Sequence, residues 1–323
     1  MNLAQLATEL LEGSIDIHVH AGPHLLSSPR SVDPIEAAQQ AKDAGMRALV
    51  YMDVFENSSG IAWLVSRTVP GIDVFGGIIL NTVYGGVNPR AVKTALHYGL
   101  GARFVSFGAH STYHEASREG RYVDGEPLPL YEIYPKFRDE ELARAIRIPL
   151  KDPVPPAMEE IFQMVAETEG VFINTGHVSA AEAMRVVELA KRYGVQQVLI
   201  ASPAVAQMNQ EQKEQAVAMG AFLERCLYDF SHTAGLAKTN YYVEPEYANE
   251  IFSSKRKGVA DFFAEVARLG PSAYILATDF GSYTVAPPVE GMRQWIASLL
   301  TYGFSPEDVR TMTADNPATL LGL

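Results

Sequence analysis

Short apolar segments alternate with helix-patterned segments along almost all of this 323-residue chain, and this alternation limits the folds open to it. The apolar segments are short enough for strands, and in the segments between them apolar residues recur every three or four positions. Strands that alternate with helices build a parallel sheet covered by helices. We therefore predict an α/β protein.

The alternation yields eight predicted strands, each followed by a helix or by an insertion and then a helix. The predicted strands span residues 14–20, 46–55, 72–80, 102–110, 171–177, 195–202, 221–230 and 273–279. Eight such units over about 250 residues or more fit a closed (β/α)8 TIM-type barrel. The alternative is an open doubly wound sheet, which usually carries a glycine-rich phosphate loop after its first strand. Here the first strand ends in histidines instead.

Two stretches interrupt the alternation, residues 111–155 after the fourth strand and residues 231–256 after the seventh. The first is rich in Tyr, Pro and charge and is too long for an ordinary connection. Within it, residues 111–137 are the best candidate for a substrate loop or lid, or equally for a subunit contact. Because no repeat or linker divides the chain, we predict one barrel domain over residues 1–323 with these two insertions.

Composition narrows the classes of function. The chain carries 26 basic and 38 acidic residues, a net charge of −12, which argues against nucleic acid as a partner. One cysteine, Cys226, excludes disulfide scaffolds and cysteine-based zinc sites. No run approaches the ~18 apolar residues of a membrane span, and the N-terminus indicates a short amphipathic helix rather than a signal peptide. We expect a cytoplasmic homo-oligomer that acts on a small molecule.

The segment "SIDIHVHAGPH", residues 14–24, holds three of the eight histidines. His18 and His20 are two positions apart at the end of the first strand, so both side chains point to the same face. In a TIM-type barrel the chemistry lies at this end of the strands. Two imidazoles on one face suit a divalent metal such as zinc, although a buried hydrogen-bonded pair would have the same spacing.

Two further strand ends favour the metal. The fifth strand ends in "INTGH", which places His177 at its carboxyl end, and the eighth ends in "LATD", which places Asp279 there. A carboxylate at the end of a buried strand is costly unless it is paired or coordinated. Three histidines and one aspartate at one end of a barrel form an incomplete metal shell with room for water.

The remaining polar residues are weaker candidates. His110 follows the fourth strand near the same end, where it is either a general acid or substrate-binding residue or a loop histidine without a role. Glu224 and Arg225 alternate in the seventh strand, so one of them faces inward, and Glu224 is a candidate inner carboxylate. The other histidines are expected to lack a role: His24, His97, His114 and His232.

The segments "DIHVHAGP", "TGHVS", "ATDFG" and "DNPATLLGL" resemble those of the amidohydrolase superfamily of metal-dependent hydrolases. The resemblance covers nearly the whole chain and is strongest to a poorly characterised branch with "HVHAGP" near its start. It implies that His18, His20, His177 and Asp279 hold a divalent metal, zinc or else manganese or iron. It also implies that Asp279 takes a proton from the metal-bound water.

The chain departs from the superfamily pattern at several strand ends. Most relatives have a histidine at the end of the sixth strand, where Ser202 stands here. The second strand has Met52 where related chains have lysine, and the fourth strand offers neither a bridging lysine nor a glutamate. These departures favour one metal ion over two and raise the prospect that some activity has been lost.

The sequence thus predicts a metal-dependent hydrolase in which an activated water attacks an amide, a cyclic amide or an ester, with Asp279 as the base. One alternative is a one-metal, non-oxidative decarboxylase. The other is a non-catalytic barrel that binds a small molecule or a protein partner, which Ser202 and Met52 favour.

Overall fold

The structure is a computed structural model that describes residues 2–24, 29–124, 126–230 and 259–323. The predicted insertion at residues 231–256, including His232, lies outside the described residues. No helix within the described ranges is both long enough and apolar enough to cross a membrane.

Eight parallel strands form one sheet in which each strand pairs with the next along the chain. They are β1 (Ile15–Val19), β2 (Ala48–Tyr51), β3 (Asp73–Ile79), β4 (Ala102–Ser106), β5 (Phe172–Asn174), β6 (Val198–Ile200), β7 (Ala221–Cys226) and β8 (Tyr274–Ala277). The last strand returns to the first, since the His20 N–H donates to the Phe280 carbonyl at 2.8 Å. The predicted (β/α)8 TIM-type barrel is confirmed.

Helices cover the outside of the sheet. They are α1 (Leu3–Leu11), α2 (Pro34–Asp43), α3 (Ser59–Thr68), α4 (Pro89–His97), α5 (Pro156–Ala166), α6 (Ala180–Tyr193), α7 (Gln210–Ala218), α8 (Val259–Leu269) and α9 (Pro288–Thr301). Side-chain caps fix several starts; Ser179 accepts the Glu182 N–H and so begins α6 shortly after His177.

All eight strands end before the residue predicted from the sequence. β5 ends at Asn174, so His177 lies in the loop beyond it, and three further strand ends change the place of a polar residue. β6 ends at Ile200, and Ser202 opens a short helix, Ser202–Val205. β7 ends at Cys226 and continues as a 3₁₀ turn, Leu227–Phe230. β8 ends at Ala277, so Asp279 lies in the loop beyond it. Apolar residues continue beyond the hydrogen-bonded strands because the loops at this end of the barrel bury them as well. Hydrophobicity therefore overestimates strand length.

Two apolar layers hold the barrel together. The inner cluster takes residues from all eight strands and includes Phe104 and Phe172, whose ring centroids are 5.9 Å apart. The C-terminal helix Asn316–Leu321 contributes Leu320 and Leu321 to this cluster and closes the barrel at the end away from the strand carboxyl termini. The outer cluster lies between the strands and the helices. A packed interior leaves only the carboxyl ends of the strands open for chemistry.

Residues 111–155 form a folded excursion between β4 and α5. A two-stranded antiparallel hairpin, Gly120–Val123 with Glu126–Pro129, lies in its first half. The excursion is tied back to the barrel at Ile148, whose N–H donates to the Glu182 side chain of α6 at 3.1 Å. It therefore sits beside the carboxyl end of β5, the strand that His177 follows.

Candidate metal centre

The end of β1 contains a β-bulge. Asp16 pairs with Leu49 and Val19 pairs with Tyr51, so β1 has one more residue than β2 between these positions. A bulge of this kind redirects the side chains that follow it. It includes His18 and therefore helps to set where that imidazole points.

Asp16 holds the bulge in place through hydrogen bonds to β1 and to the residue after β8. Its carboxylate accepts the His18 N–H at 3.2 Å, the Thr278 N–H at 3.1 Å and the Thr278 hydroxyl at 2.5 Å. Burial raises the pKa of Asp16 to about 6 despite these three hydrogen bonds. The contacts join β1 to the end of β8, so Asp16 fixes both segments that carry the candidate ligands. Nothing in the sequence pattern singled out this residue.

Two imidazoles converge on one carboxylate. The Nε2 atoms of His18 and His20 lie 3.6 and 2.9 Å from Oδ1 of Asp279. One ligand atom from each of the three residues lies within 4.8 Å of the others. The Nδ1 atom of His20 has no hydrogen-bond partner among the described residues. The donor set, two imidazole nitrogens and one carboxylate oxygen, is one that zinc and similar divalent metals take.

Glu224 fixes the orientation of His18. It is fully buried in the barrel, and its Oε1 lies 2.9 Å from Nδ1 of His18. A carboxylate on one imidazole nitrogen sets the tautomer that turns the other nitrogen toward a metal. Glu224 thus faces inward, as the alternation allowed, but it bonds to the proposed ligand His18. Arg225 faces the opposite way, where its guanidinium lies over Phe230 and Phe262.

The backbone at Asp279 is unusual. Asp279 has a φ of +55°, a conformation that aspartate and asparagine adopt more readily than most residues. Two residues later, a Cβ built on Gly281 would lie 1.5 Å from the carbonyl oxygen of His20. The glycine of "ATDFG" is therefore required because the β8 loop crosses directly over the end of β1. This crossing brings Asp279 to His20.

Opposite charges in the site shift the pKa values of His18 and Asp279. Burial disfavours the imidazolium of His18, but Glu224 and Asp279 outweigh burial and raise its pKa to about 9. Burial also disfavours the Asp279 carboxylate, yet His18 and the hydrogen bond from His20 outweigh it and lower its pKa to about 2. Asp279 is accordingly ionised at neutral pH, which is the state a metal ligand or a base needs.

His177 and His110 lie together at the same end of the barrel. Their ring centroids are 5.6 Å apart, and the charge of His177 acts on Asp279 to lower its pKa. His110 directs Nδ1 at Oε1 of Glu119 at 2.9 Å. Glu119 comes from the excursion 111–155, and together with Glu115 it forms a second group that could hold a metal at His110.

The place of the missing sixth-strand histidine is filled. Ser202 is buried, and its hydroxyl donates to Asp229 Oδ2 at 2.5 Å and accepts the Cys226 N–H at 3.2 Å. Its own N–H donates to Glu224 at 3.0 Å. Cys226, His18 and Glu224 also place their ligand atoms close enough together to hold a metal ion. Burial raises the pKa of the Cys226 thiol well above the usual value.

Three other histidines lie within the described residues. His24 packs on Phe55, with ring centroids 5.1 Å apart. His114 lies 2.9 Å from Arg118 in the excursion, and His97 is exposed on α4. Met52 is buried in the inner apolar cluster.

Asp53 and Arg30 also lie at this end of the barrel, and the sequence pattern identified neither of them as a site residue. Asp53 follows β2 and accepts the Phe55 N–H at 2.6 Å. Burial raises the pKa of Asp53, and the charges of His20 and Arg30 act on it in the opposite direction. In "VYMDVFE", Asp53 is a charged residue directly after an apolar segment, and this pattern could have identified it. Arg30 does not follow an apolar segment, so the sequence offers no such signal for it.

Solved structures of an amidohydrolase and of other hydrolases share this barrel fold. An amidohydrolase from Pseudomonas aeruginosa superposes with a TM-score of 0.60 at 12% identity over 99% of this chain and 98% of that one. A single-site mutant of an organophosphorus hydrolase from Deinococcus radiodurans gives 0.54 at 14% identity over 100% and 95%. A putative 2-pyrone-4,6-dicarboxylic acid hydrolase from Pseudomonas putida gives 0.51 at 12% identity over 96% and 97%.

A sequence-family model assigns the chain to one family. Residues 13–224 match the model of a family of unknown function, DUF6282, and the chain belongs to that family. No curated protein matches the chain. The matched residues include His18, His20, His110 and His177 but not Asp279.

Proposed function

We propose that this protein is a metal-dependent hydrolase that cleaves an amide, a cyclic amide or an ester bond of a small molecule. The observation that carries the proposal is the convergence of His18 and His20 on Asp279, with ligand atoms within 4.8 Å of one another. The names of the structural neighbours, each a hydrolase or an amidohydrolase, support hydrolysis as the general reaction.

The residues that would hold the metal are His18, His20, His177 and Asp279. When bound, a divalent ion supplies a Lewis acid and lowers the pKa of a water molecule toward neutrality. Zinc suits the nitrogen-rich donor set, and manganese or iron would also be accepted. We propose one ion rather than two, because Ser202 replaces the sixth-strand histidine and its hydroxyl is bonded to Asp229.

The chain's own residues would handle the protons. Asp279 is ionised at neutral pH, so it can accept a proton from the attacking water and return it to the leaving group. His110 is proposed as the residue that donates to or polarises the substrate. Because the Glu119 carboxylate accepts from Nδ1, His110 can donate to the substrate only as the imidazolium, which carries a second proton on Nε2.

The excursion 111–155 is the part of the chain proposed to shape the substrate pocket. It carries Glu119, which bonds to His110, and its Thr112 hydroxyl donates to the His177 carbonyl at 2.5 Å. A loop that contacts two site residues can set specificity without changing the metal ligands. Cytoplasmic location and homo-oligomeric assembly remain predictions from the sequence.

Metal analysis tests the proposal. Purified protein should contain close to one equivalent of zinc, manganese or iron by plasma mass spectrometry. The double variant His18→Ala/His20→Ala should lose most of this metal, because it removes two ligands. His97→Ala is the matched control, since His97 is exposed on α4, and it should keep the full content. A folded wild-type protein that takes up none of these metals would instead support the non-catalytic barrel.

A further inference from the structure

Arg30 is held beside the candidate metal centre by two loops that pair with each other. The loop after β1 runs against the loop after β8, with Arg30 opposite Ser282 in an antiparallel bridge. The Ser31 N–H donates to the Gly281 carbonyl at 2.7 Å. A Cβ on Gly22 would lie 3.6 Å from Cβ of Arg30, so the Arg30 stem lies against Gly22 of "HVHAGP". Its position is thus fixed by backbone contacts.

Among the described residues, no carboxylate lies within ion-pair distance of the Arg30 guanidinium, and its buried Nε makes no hydrogen bond. Burial lowers the pKa of Arg30, while the charges of Asp53 and Asp279 act to raise it. The charge of Arg30 also acts on His20 and lowers its pKa. A partly buried cation whose Nε–H makes no hydrogen bond loses solvation that nothing in the described part of the chain replaces.

We propose that Arg30 binds a carboxylate group of the substrate next to the reacting bond. This inference rests on the proposed hydrolase function, because it places the substrate between Arg30 and the metal ligands. The planar guanidinium can offer two parallel N–H groups to a carboxylate, and such charge-assisted pairs are among the strong hydrogen bonds of proteins.

The surroundings favour a carboxylate over a phosphate. Asp53 and Asp279 both act on Arg30, so the region already carries negative charge around one guanidinium. A monoanionic, flat carboxylate adds one charge that Arg30 neutralises. A phosphate dianion would add a second negative charge facing these two aspartates.

Calorimetric titration with glutarate tests this assignment, with neutral glutaramide as the comparison ligand. The wild-type protein should bind glutarate more tightly than glutaramide. Arg30→Met should weaken glutarate binding about tenfold or more and leave glutaramide binding unchanged, because it removes the charge-assisted pair. Arg30→Lys keeps the charge but not the planar fork, so its affinity for glutarate should be intermediate. Arg47→Met is the control, since Arg47 is exposed before β2 at the opposite end of the barrel.

The same titrations on chelator-treated protein separate this inference from the metal proposal. Weaker glutarate binding by the Arg30 variants than by wild type, with or without metal, supports the carboxylate site even if the hydrolase proposal fails. Equal affinity of wild type and folded Arg30→Lys and Arg30→Met proteins for glutarate would reduce Arg30 to a structural counter-charge for Asp53 and Asp279. Tighter, Arg30-dependent binding of inorganic phosphate than of glutarate would overturn the choice of carboxylate.

Discussion

At the scale of the residue, Asp279 combines three demands. It must adopt a positive φ, meet two imidazoles and stay ionised, and its pKa of about 2 reflects that His18 and His20 outweigh burial. Asparagine fits the same backbone and keeps an oxygen, but its amide cannot accept the proton. Asp279→Asn should therefore weaken metal binding modestly and lower turnover by about 10²–10⁴-fold.

The measurement needs a substrate, which a screen of cyclic imides, lactams, lactones and phosphoesters on metal-loaded protein should provide. Steady-state rates and metal content are then compared for wild type and variant. Asp73→Asn serves as the control because Asp73 is exposed at the start of β3, far along the strand from its carboxyl end. Near wild-type turnover by Asp279→Asn would show that Asp279 is not the base.

At the scale of the element, the β-bulge interrupts the regular backbone pairing at the end of β1, and the Asp16 side chain holds this segment instead. Asp16 accepts two N–H groups and one hydroxyl across the bulge. Asp16→Ala would leave those buried donors without a partner, at about 1–3 kcal/mol for each. The substitution also removes the cost of burying the Asp16 carboxylate, which offsets part of this loss. We therefore expect a net loss of about 2–4 kcal/mol in the free energy of unfolding by urea titration, together with weaker metal binding.

Asp16→Asn is the matched variant, because its single oxygen can still accept both N–H groups while its amide donates toward Thr278. It should lose less than half as much stability and keep more metal than Asp16→Ala. If both variants unfold at the wild-type urea concentration, the carboxylate does not support the bulge, and the position of His18 has another origin.

At the scale of the whole molecule, the candidate ligands lie at the ends of the first, fifth and last strands of a closed barrel. A metal at this centre would link β1 to β8, where the barrel closes through hydrogen bonds such as the Asp279 N–H to the His18 carbonyl at 2.9 Å. Because metal that binds only the folded state stabilises it, chelation should lower the melting temperature by about 5 °C.

Differential scanning calorimetry with and without a chelator measures this shift. The His18→Ala/His20→Ala variant should melt at the same temperature under both conditions, since it has lost the site. A melting temperature of the wild type that does not respond to chelation or to added zinc would argue against a metal in this barrel.

The sequence by itself determined the fold class and the end of the barrel where the candidate site lies. Alternating periodicity defines parallel strands, and the carboxyl ends of parallel strands meet at one end whatever the loops do. His18, His20, His177 and Asp279 were predicted in this way, since each lies at the end of an apolar segment. The resemblance to the amidohydrolase superfamily added their proposed roles.

Only the tertiary structure decided which side chains support and surround these residues. Glu224 meets His18 across 206 positions, and Asp16 meets Thr278 across 262, so no local pattern records either contact. Arg30 is brought to the site by the pairing of two loops, and Ser202 is bonded to Asp229 only after β6 ends early. Periodicity reports which face a residue takes within its own element, whereas hydrogen bonds between distant elements depend on the closed barrel.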